Sequence, residues 1–222
     1  MESADSHIYN ITNSVKGDVS GVVRIRAGEF IGGVFIQNIF ADIIRSYPKL
    51  TVELTVHSTL EDAPVQNTDI GIRMMRPQLG YATSKHIGNL AYGVFAHKSY
   101  VARFGIPRGI SDLSNHRFIG YNKLDFDRLV MKSLGVNLPN ECFALRSDSE
   151  FAQLGAIGAG MGIGPCCVKF AESNPDLVPI MPEILRSDRE MWVYVANSLR
   201  AGGPVSIVFD ELVKRLGERI GG

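Results

Sequence analysis

Apolar positions along the chain switch between a period of two and a period near four. Val22-Val23-Arg24-Ile25-Arg26-Ala27 is rich in β-branched residues and reads as a strand. From Glu29 the spacing lengthens. Phe35, Ile39 and Ile43 recur at every fourth position, as do Ile36, Phe40 and Ile44, which predicts an amphipathic helix that Pro48 stops. Leu50 to Val56 predicts a second strand, and Ser58-Thr59-Leu60-Glu61 fits a capping box opening a short helix. Asp69-Ile70-Gly71-Ile72-Arg73 predicts a third strand. This β-α-β-α-β order implies a parallel sheet with helices on its faces.

The middle of the chain repeats the theme. Strands are expected at Leu90 to His97, Arg117 to Tyr121 and Phe143 to Arg146, with a short helix at Tyr100 to Phe104 closed by Gly105. Ser147-Asp148-Ser149-Glu150 fits a second capping box, before a helix through Phe151, Leu154 and Ile157. Met161 to Gly164 reads as a short buried strand, and Pro165 suits the first position of a following helix. Trp192 to Ala196 predicts a late strand and Val205 to Ile220 a last amphipathic helix. Ahead of all this, Ile8, Ile11 and Val15 share a helical spacing, and Lys16 to Gly21 reads as a flexible joint.

Composition narrows the function classes. With 45% hydrophobic and 21% charged residues, the chain buries an ordinary globular core. Its formal net charge of zero argues against a free-standing nucleic-acid binder, which carries a basic excess. Three cysteines, two of them adjacent, do not form a disulfide framework and fit a reducing compartment. No apolar run has the length of a membrane span, and Met1 to Val15 lacks the pattern of a secretory signal.

Five segments, taken in order, resemble the effector-binding domain of LysR-type transcriptional regulators. They are Gly21-Val22-Val23-Arg24-Ile25-Arg26-Ala27 with the helix ending Arg45-Ser46-Tyr47-Pro48 and then Val52-Glu53-Leu54; Asp69 to Arg73; Ala96 to Pro107 with Asp112-Leu113-Ser114-Asn115-His116; Gly158 to Pro165; and Trp192-Val193-Tyr194-Val195. The resemblance implies an α/β protein of the periplasmic-binding-protein type 2 fold, two α/β lobes joined by two crossover strands with an effector in the cleft between them. Residues 1–21 then end a linker helix and joint, 22–94 plus 196–222 form lobe I, and 95–195 form lobe II. It also implies a homo-oligomer, dimer or tetramer, using the surface of Phe30 to Ser46 and the segment Ala152 to Ile157. DNA would be met only through an N-terminal winged helix-turn-helix absent from this chain.

The expected ligand contacts follow helix starts, whose unpaired N–H groups and partial positive charge attract anions. Glu29, Phe30 and Ile31, with Ser58 and Thr59, supply two such starts; Ser147 and Asp148, with Gly164 and Pro165, supply two more. Gly120 and Tyr121 end a strand nearby. Arg73, followed by Met74, matches a family position that often contacts ligand, where a guanidinium suits a carboxylate. Arg73 also fits a structural ion pair with Glu53 or Asp69. Glu29 stands where the family often has a small hydroxyl residue. A carboxylate there repels an anion, so either Glu29 turns away or the ligand bears a donor on that side. The expected partner is thus a small, polar, carboxylate-bearing effector.

Other motifs carry less. The run Gly155, Gly158, Gly160, Gly162, Gly164 lacks G-x-G-x-x-G spacing and follows a helix, so it reads as a tight turn. Cys166 and Cys167 fall in the first turn of an expected helix, where a thiolate is favoured, though buried inert thiols are the simpler reading. The five histidines show no metal spacing, and neither a Ser-His-Asp order nor G-x-S-x-G stands out. No cofactor, metal or membrane is expected, and an enzyme finds no convergent acid, base and nucleophile. A transporter's solute-binding protein has the same fold and is the alternative; its signal peptide is what the N-terminus lacks. The cytoplasm is the expected location.

Overall fold

In the computed structural model, which describes residues 18–57, 68–77, 82–122, 138–196 and 203–221, the chain opens with strand β1 (Ser20–Gly28). It divides into two units. The first comprises Met1–His57, Glu61–Gly88 and Glu190–Gly222; the second comprises Ser58–Leu60 and Asn89–Arg189. The chain passes between them within β4 (Ala82–His97) and β9 (Arg186–Ala196).

In the first unit β1 lies parallel to both β2 (Lys49–His57) and β3 (Ile70–Arg73), as the β-α-β order requires, and β3 pairs antiparallel with β9. Alternation sends Val23, Ile25, Ala27, Ile70, Ile72, Val193 and Val195 to one face, where all are buried. Helix α1 (Gln37–Ser46) supplies Ile39, Phe40 and Ile43 to the core. It is preceded by a wide π turn, Ile31–Phe35, where the periodicity predicted one unbroken helix from Glu29. The last helix of the chain, Gly203–Gly221, buries Val208, Phe209, Leu212 and Leu216 and packs on β1 and α1.

In the second unit β4 pairs antiparallel with β7 (Gly164–Cys167) and β8 (Leu177–Ile180), while β5 (Phe118–Gly120) lies parallel to β6 (Phe143–Arg146). Helix α2 (Lys98–Phe104) ends at Gly105, whose φ of 77° is the left-handed conformation that stops a helix. Helix α3 (Glu150–Gly158) covers Ile119 with Ala156 and Ile157. A larger cluster joins Ala96, Tyr100, Leu113, Phe118, Phe143, Ile163 and Ile180. The final helix is therefore α5, after α4 (Val168–Glu172).

Two sequence expectations fail here. Gly164–Cys167 is a strand, with Pro165 opposite Val94, so Gly164 and Pro165 do not open a helix. Gly160 turns the chain after α3 with a φ of 71°, and pairing with β4 then holds Gly164–Cys167 extended. Cys166 and Cys167 are consequently buried strand residues, and burial raises both thiols, Cys166 to about 12. The second capping box is also displaced. Ser149, not Ser147, caps α3, its Oγ accepting the Ala152 N–H at 3.3 Å. Glu150 therefore stands first in the helix rather than third. Ser58-Thr59-Leu60-Glu61, the lead-in Ile8 to Val15, and Lys16 and Gly17 of the joint lie outside the described residues, whereas Ser20 and Gly21, expected in the joint, already pair with β2 as the start of β1.

Candidate functional site

The three parallel strands of the first unit end together. Gly28 is in register with His57 and Ala27 with Ile72, so Glu29, His57 and Arg73 lie at one edge, the carboxyl ends of neighbouring strands. Ligands of open α/β sheets bind at such ends. Phe30 and Ile31 are buried, whereas Glu29, Arg73 and Met74 are half-buried. The π turn opens on Phe30 with no side-chain cap.

Arg73 is held by an aromatic ring. Gly71 faces Tyr194 across the β3–β9 ladder, and the buried Tyr194 ring lies over Gly71 in the space that a Cβ would need. The Arg73 guanidinium rests over that ring, 5.4 Å from its centroid. The expected structural partners are engaged elsewhere: Glu53 pairs with Arg24 at 3.0 Å, and Asp69 accepts the Arg24 backbone N–H at 2.7 Å. Tyr194 was not singled out from the sequence, although the alternation Trp192-Val193-Tyr194-Val195 already places Trp192 and Tyr194 on one face.

In the second unit the structure brings Gly120, Tyr121, Ser147 and Asp148 into one hydrogen-bonded rim. The Ser147 N–H donates to the Gly120 carbonyl at 2.9 Å, and the Asn122 N–H donates to Asp148 Oδ1 at 3.0 Å. Arg146 donates from Nε to the Tyr121 carbonyl and from Nη2 to that of Asn122, both at 2.9 Å. Gln153, a buried polar residue absent from the sequence expectations, donates to the Ser147 carbonyl at 2.6 Å. Ser147 Oγ accepts the Ser149 N–H at 3.2 Å. Gly164 is buried against Ile119 and Ile157, and Pro165 is half-buried in β7. Both stand there as strand residues. Tyr92 of β4 lies under the Arg189 guanidinium, 4.3 Å from its ring centroid; burial first, and nearby Glu150 second, push its phenol above the ordinary range.

The second unit also gathers a serine, a histidine and an aspartate. His97 Nδ1 lies 2.7 Å from Ser99 Oγ, and its Nε2 lies 3.8 Å from Asp176. Two distances decide against a nucleophile. Nδ1 also accepts the Ser99 backbone N–H at 3.1 Å, which makes His97 the cap of α2. A gap of 3.8 Å is too long for the hydrogen bond that orients a catalytic base. Asp176 is engaged instead by Lys98 at 2.5 Å, which holds its carboxyl below the ordinary carboxylate range. Among the described residues no group of three acidic, cysteine or histidine residues could hold a metal, and no helix is long and apolar enough to cross a membrane.

Comparison with known proteins agrees with this architecture. The family profile described as LysR substrate binding domain matches residues 16–216. The HTH-type transcriptional activator AaeR of Escherichia coli (strain K12) is 23% identical over 197 residues, 86% of this chain and 64% of that protein. The uncharacterized HTH-type transcriptional regulator YcaN of the same strain is 29% identical over 154 residues, 65% of this chain and 48% of that protein. The chain thus spans less than two thirds of the length of these relatives. Among solved structures, the regulatory domain of CrgA, a LysR-type transcriptional regulator from Neisseria meningitidis, superposes with a TM-score of 0.75 at 17% identity, covering 89% of this chain and all of that one. The full-length Vibrio cholerae virulence activator AphB gives 0.71 at 15% identity, covering 94% of this chain and 74% of that one. The fold is that of these regulatory domains, the periplasmic-binding-protein type 2 class.

Proposed function

The chain belongs to the LysR substrate binding domain family, and on that premise we propose that it senses a small carboxylate-bearing effector within a transcription regulator. The observation that carries the ligand class is Arg73. It stands at the carboxyl end of β3, half-buried, on the Tyr194 ring. A guanidinium so placed meets a carboxylate through a planar fork with little loss of rotamer freedom. In the second unit the residues of this reading are Gly120, Tyr121, Ser147 and Asp148 with Gly164 and Pro165, which offer backbone and shape. Glu29, Phe30 and Ile31, with Ser58, Thr59 and Met74, complete the contacts of this reading.

The domain acts by binding, without catalysis. Effector binding alters transcription only if the effector prefers one state of the whole regulator. That regulator is a cytoplasmic homo-oligomer reaching DNA through a separate N-terminal domain, in keeping with its helix-turn-helix relatives. The surfaces of Phe30 to Ser46 and of Ala152 to Ile157 are its candidate contacts between copies. A transporter's binding protein is disfavoured, since the relatives found are regulators.

A thermal-shift panel of small carboxylates, followed by calorimetry, tests the reading. A ligand at a hundred times its dissociation constant stabilises by about 2.7 kcal/mol. Arg73→Ala should abolish the shift, and Glu29→Ser should strengthen binding of an anion. Unchanged affinity in both variants sinks the assignment.

A further inference from the structure

The chain's single tryptophan, Trp192, stands beside the arginine just described. Arg73 is opposite Trp192 and Gly71 opposite Tyr194 in the β3–β9 ladder. Residues two apart on a strand share a face, so Arg73, Trp192 and Tyr194 lie on one side of the sheet. Each aromatic ring there carries a guanidinium. Arg73 lies over Tyr194 at 5.4 Å, and Arg76, three residues on and exposed, lies over Trp192 at 5.5 Å.

We infer that Arg73 and Arg76 form a two-cation subsite for a compact dianion, a four-carbon dicarboxylate with one carboxylate on each guanidinium. The spacing is set by the strand, since the two ring-bearing Cα atoms are separated by roughly 7 Å. A guanidinium on a ring engages the π cloud with its face, and its in-plane donors suit a carboxylate. The surroundings limit the ligand further. Glu190 accepts the Trp192 indole N–H at 2.8 Å and sets a negative charge at that edge, while the His86 ring sits 5.0 Å from the indole. The indole is thereby fixed, and a ligand with a third negative charge meets Glu190.

The inference rests on the reading of Arg73 as a carboxylate clamp, and the experiment separates the two. Succinate and butyrate, equal in carbon count, are titrated at constant ionic strength with calorimetry and Trp192 fluorescence. A second charge-assisted fork should favour succinate by roughly tenfold. Arg76→Ala should bring succinate to the butyrate level and leave butyrate unchanged, while Arg73→Ala weakens both. Equal affinities in the unaltered protein, or a preference that survives Arg76→Ala, overturn the two-cation subsite and leave the clamp standing. Indifference of both acids to Arg73→Ala, or no binding of either at millimolar concentration, overturns the clamp and the subsite together.

Discussion

The rims of the two units are built on opposite principles. In the second unit the polar groups of the rim satisfy one another. Arg146 holds two carbonyls, Asp148 holds the Asn122 N–H, Gln153 holds the Ser147 carbonyl, and Ser149 caps α3. In the first unit the π turn opens without a side-chain cap, and Arg73 and Arg76 are seated on the rings of Tyr194 and Trp192. A network of side-chain bonds to the backbone fixes backbone shape. A cation on an aromatic ring keeps its charge for recognition. The difference teaches a division of labour: the second rim offers form, and the first offers charge.

The comparison can be broken most severely at glycine. A Cβ at Gly71 would lie 2.0 Å from Tyr194 Cζ, whereas at Gly164 the nearest atom is Ile157 Cδ1 at 3.0 Å. Gly71→Ala must expel a buried ring, and should cost about 3 kcal/mol, the upper end of ordinary overpacking. Gly164→Ala presses on the Ile157 side chain and on Ile119 Cβ at 3.1 Å, a milder overpacking that should cost about 1–2 kcal/mol. Gly71→Ala should also weaken carboxylate binding, because Arg73 loses its platform. Urea unfolding with parallel calorimetry checks both. Equal costs at the two glycines would show that Tyr194 is not locked in place.

Much of this was legible in the sequence. The apolar periods gave β1 to β3, α1, α2 and the last helix, because each buries one face and repeats accordingly. The ends of the parallel strands followed from that order, and with them Arg73. What was misread lies where local and tertiary signals compete. Pro165 suits a first helical position, but pairing with β4 draws it into a strand. Ser147 and Ser149 both suit a cap, and the Gln153 bond to the Ser147 carbonyl leaves Ser147 outside the helix. Arg76 and Trp192 are far apart in sequence, so no local pattern could join them.

The thiols sharpen the contrast further. At a helix start Cys166 would be acidic and reactive; in β7 its thiol is pushed up to about 12 from 9. The unfolded chain then loses a proton near pH 9 that the native chain keeps, so the native state binds more protons and stability falls as pH rises from about 9 to 12, by about 1.4 kcal/mol per pH unit. The midpoint of urea unfolding measured from pH 8 to 10.5 should decline, and Cys166→Ala should lessen the decline, with the buried Cys167 sustaining part of it. A thiol that reacts rapidly at neutral pH in the native protein would restore the helix-start reading of Gly164 and Pro165.

The smallest effect belongs to the cap of α3. The Ser149 Oγ bond to the Ala152 N–H is long, at 3.3 Å, so Ser149→Ala should cost about 0.5–1 kcal/mol, the lower part of the range for caps. In a chain of this size that is roughly 1–4 °C in Tm. Its value lies in what it leaves alone. If charge is read in the first unit, Ser149→Ala lowers Tm but leaves the affinity ratio of succinate to butyrate unchanged, whereas Arg76→Ala collapses that ratio with little change in Tm. If Ser149→Ala shifts the ratio as far as Arg76→Ala does, the second rim reads charge as well as form, and the division between the two rims does not hold.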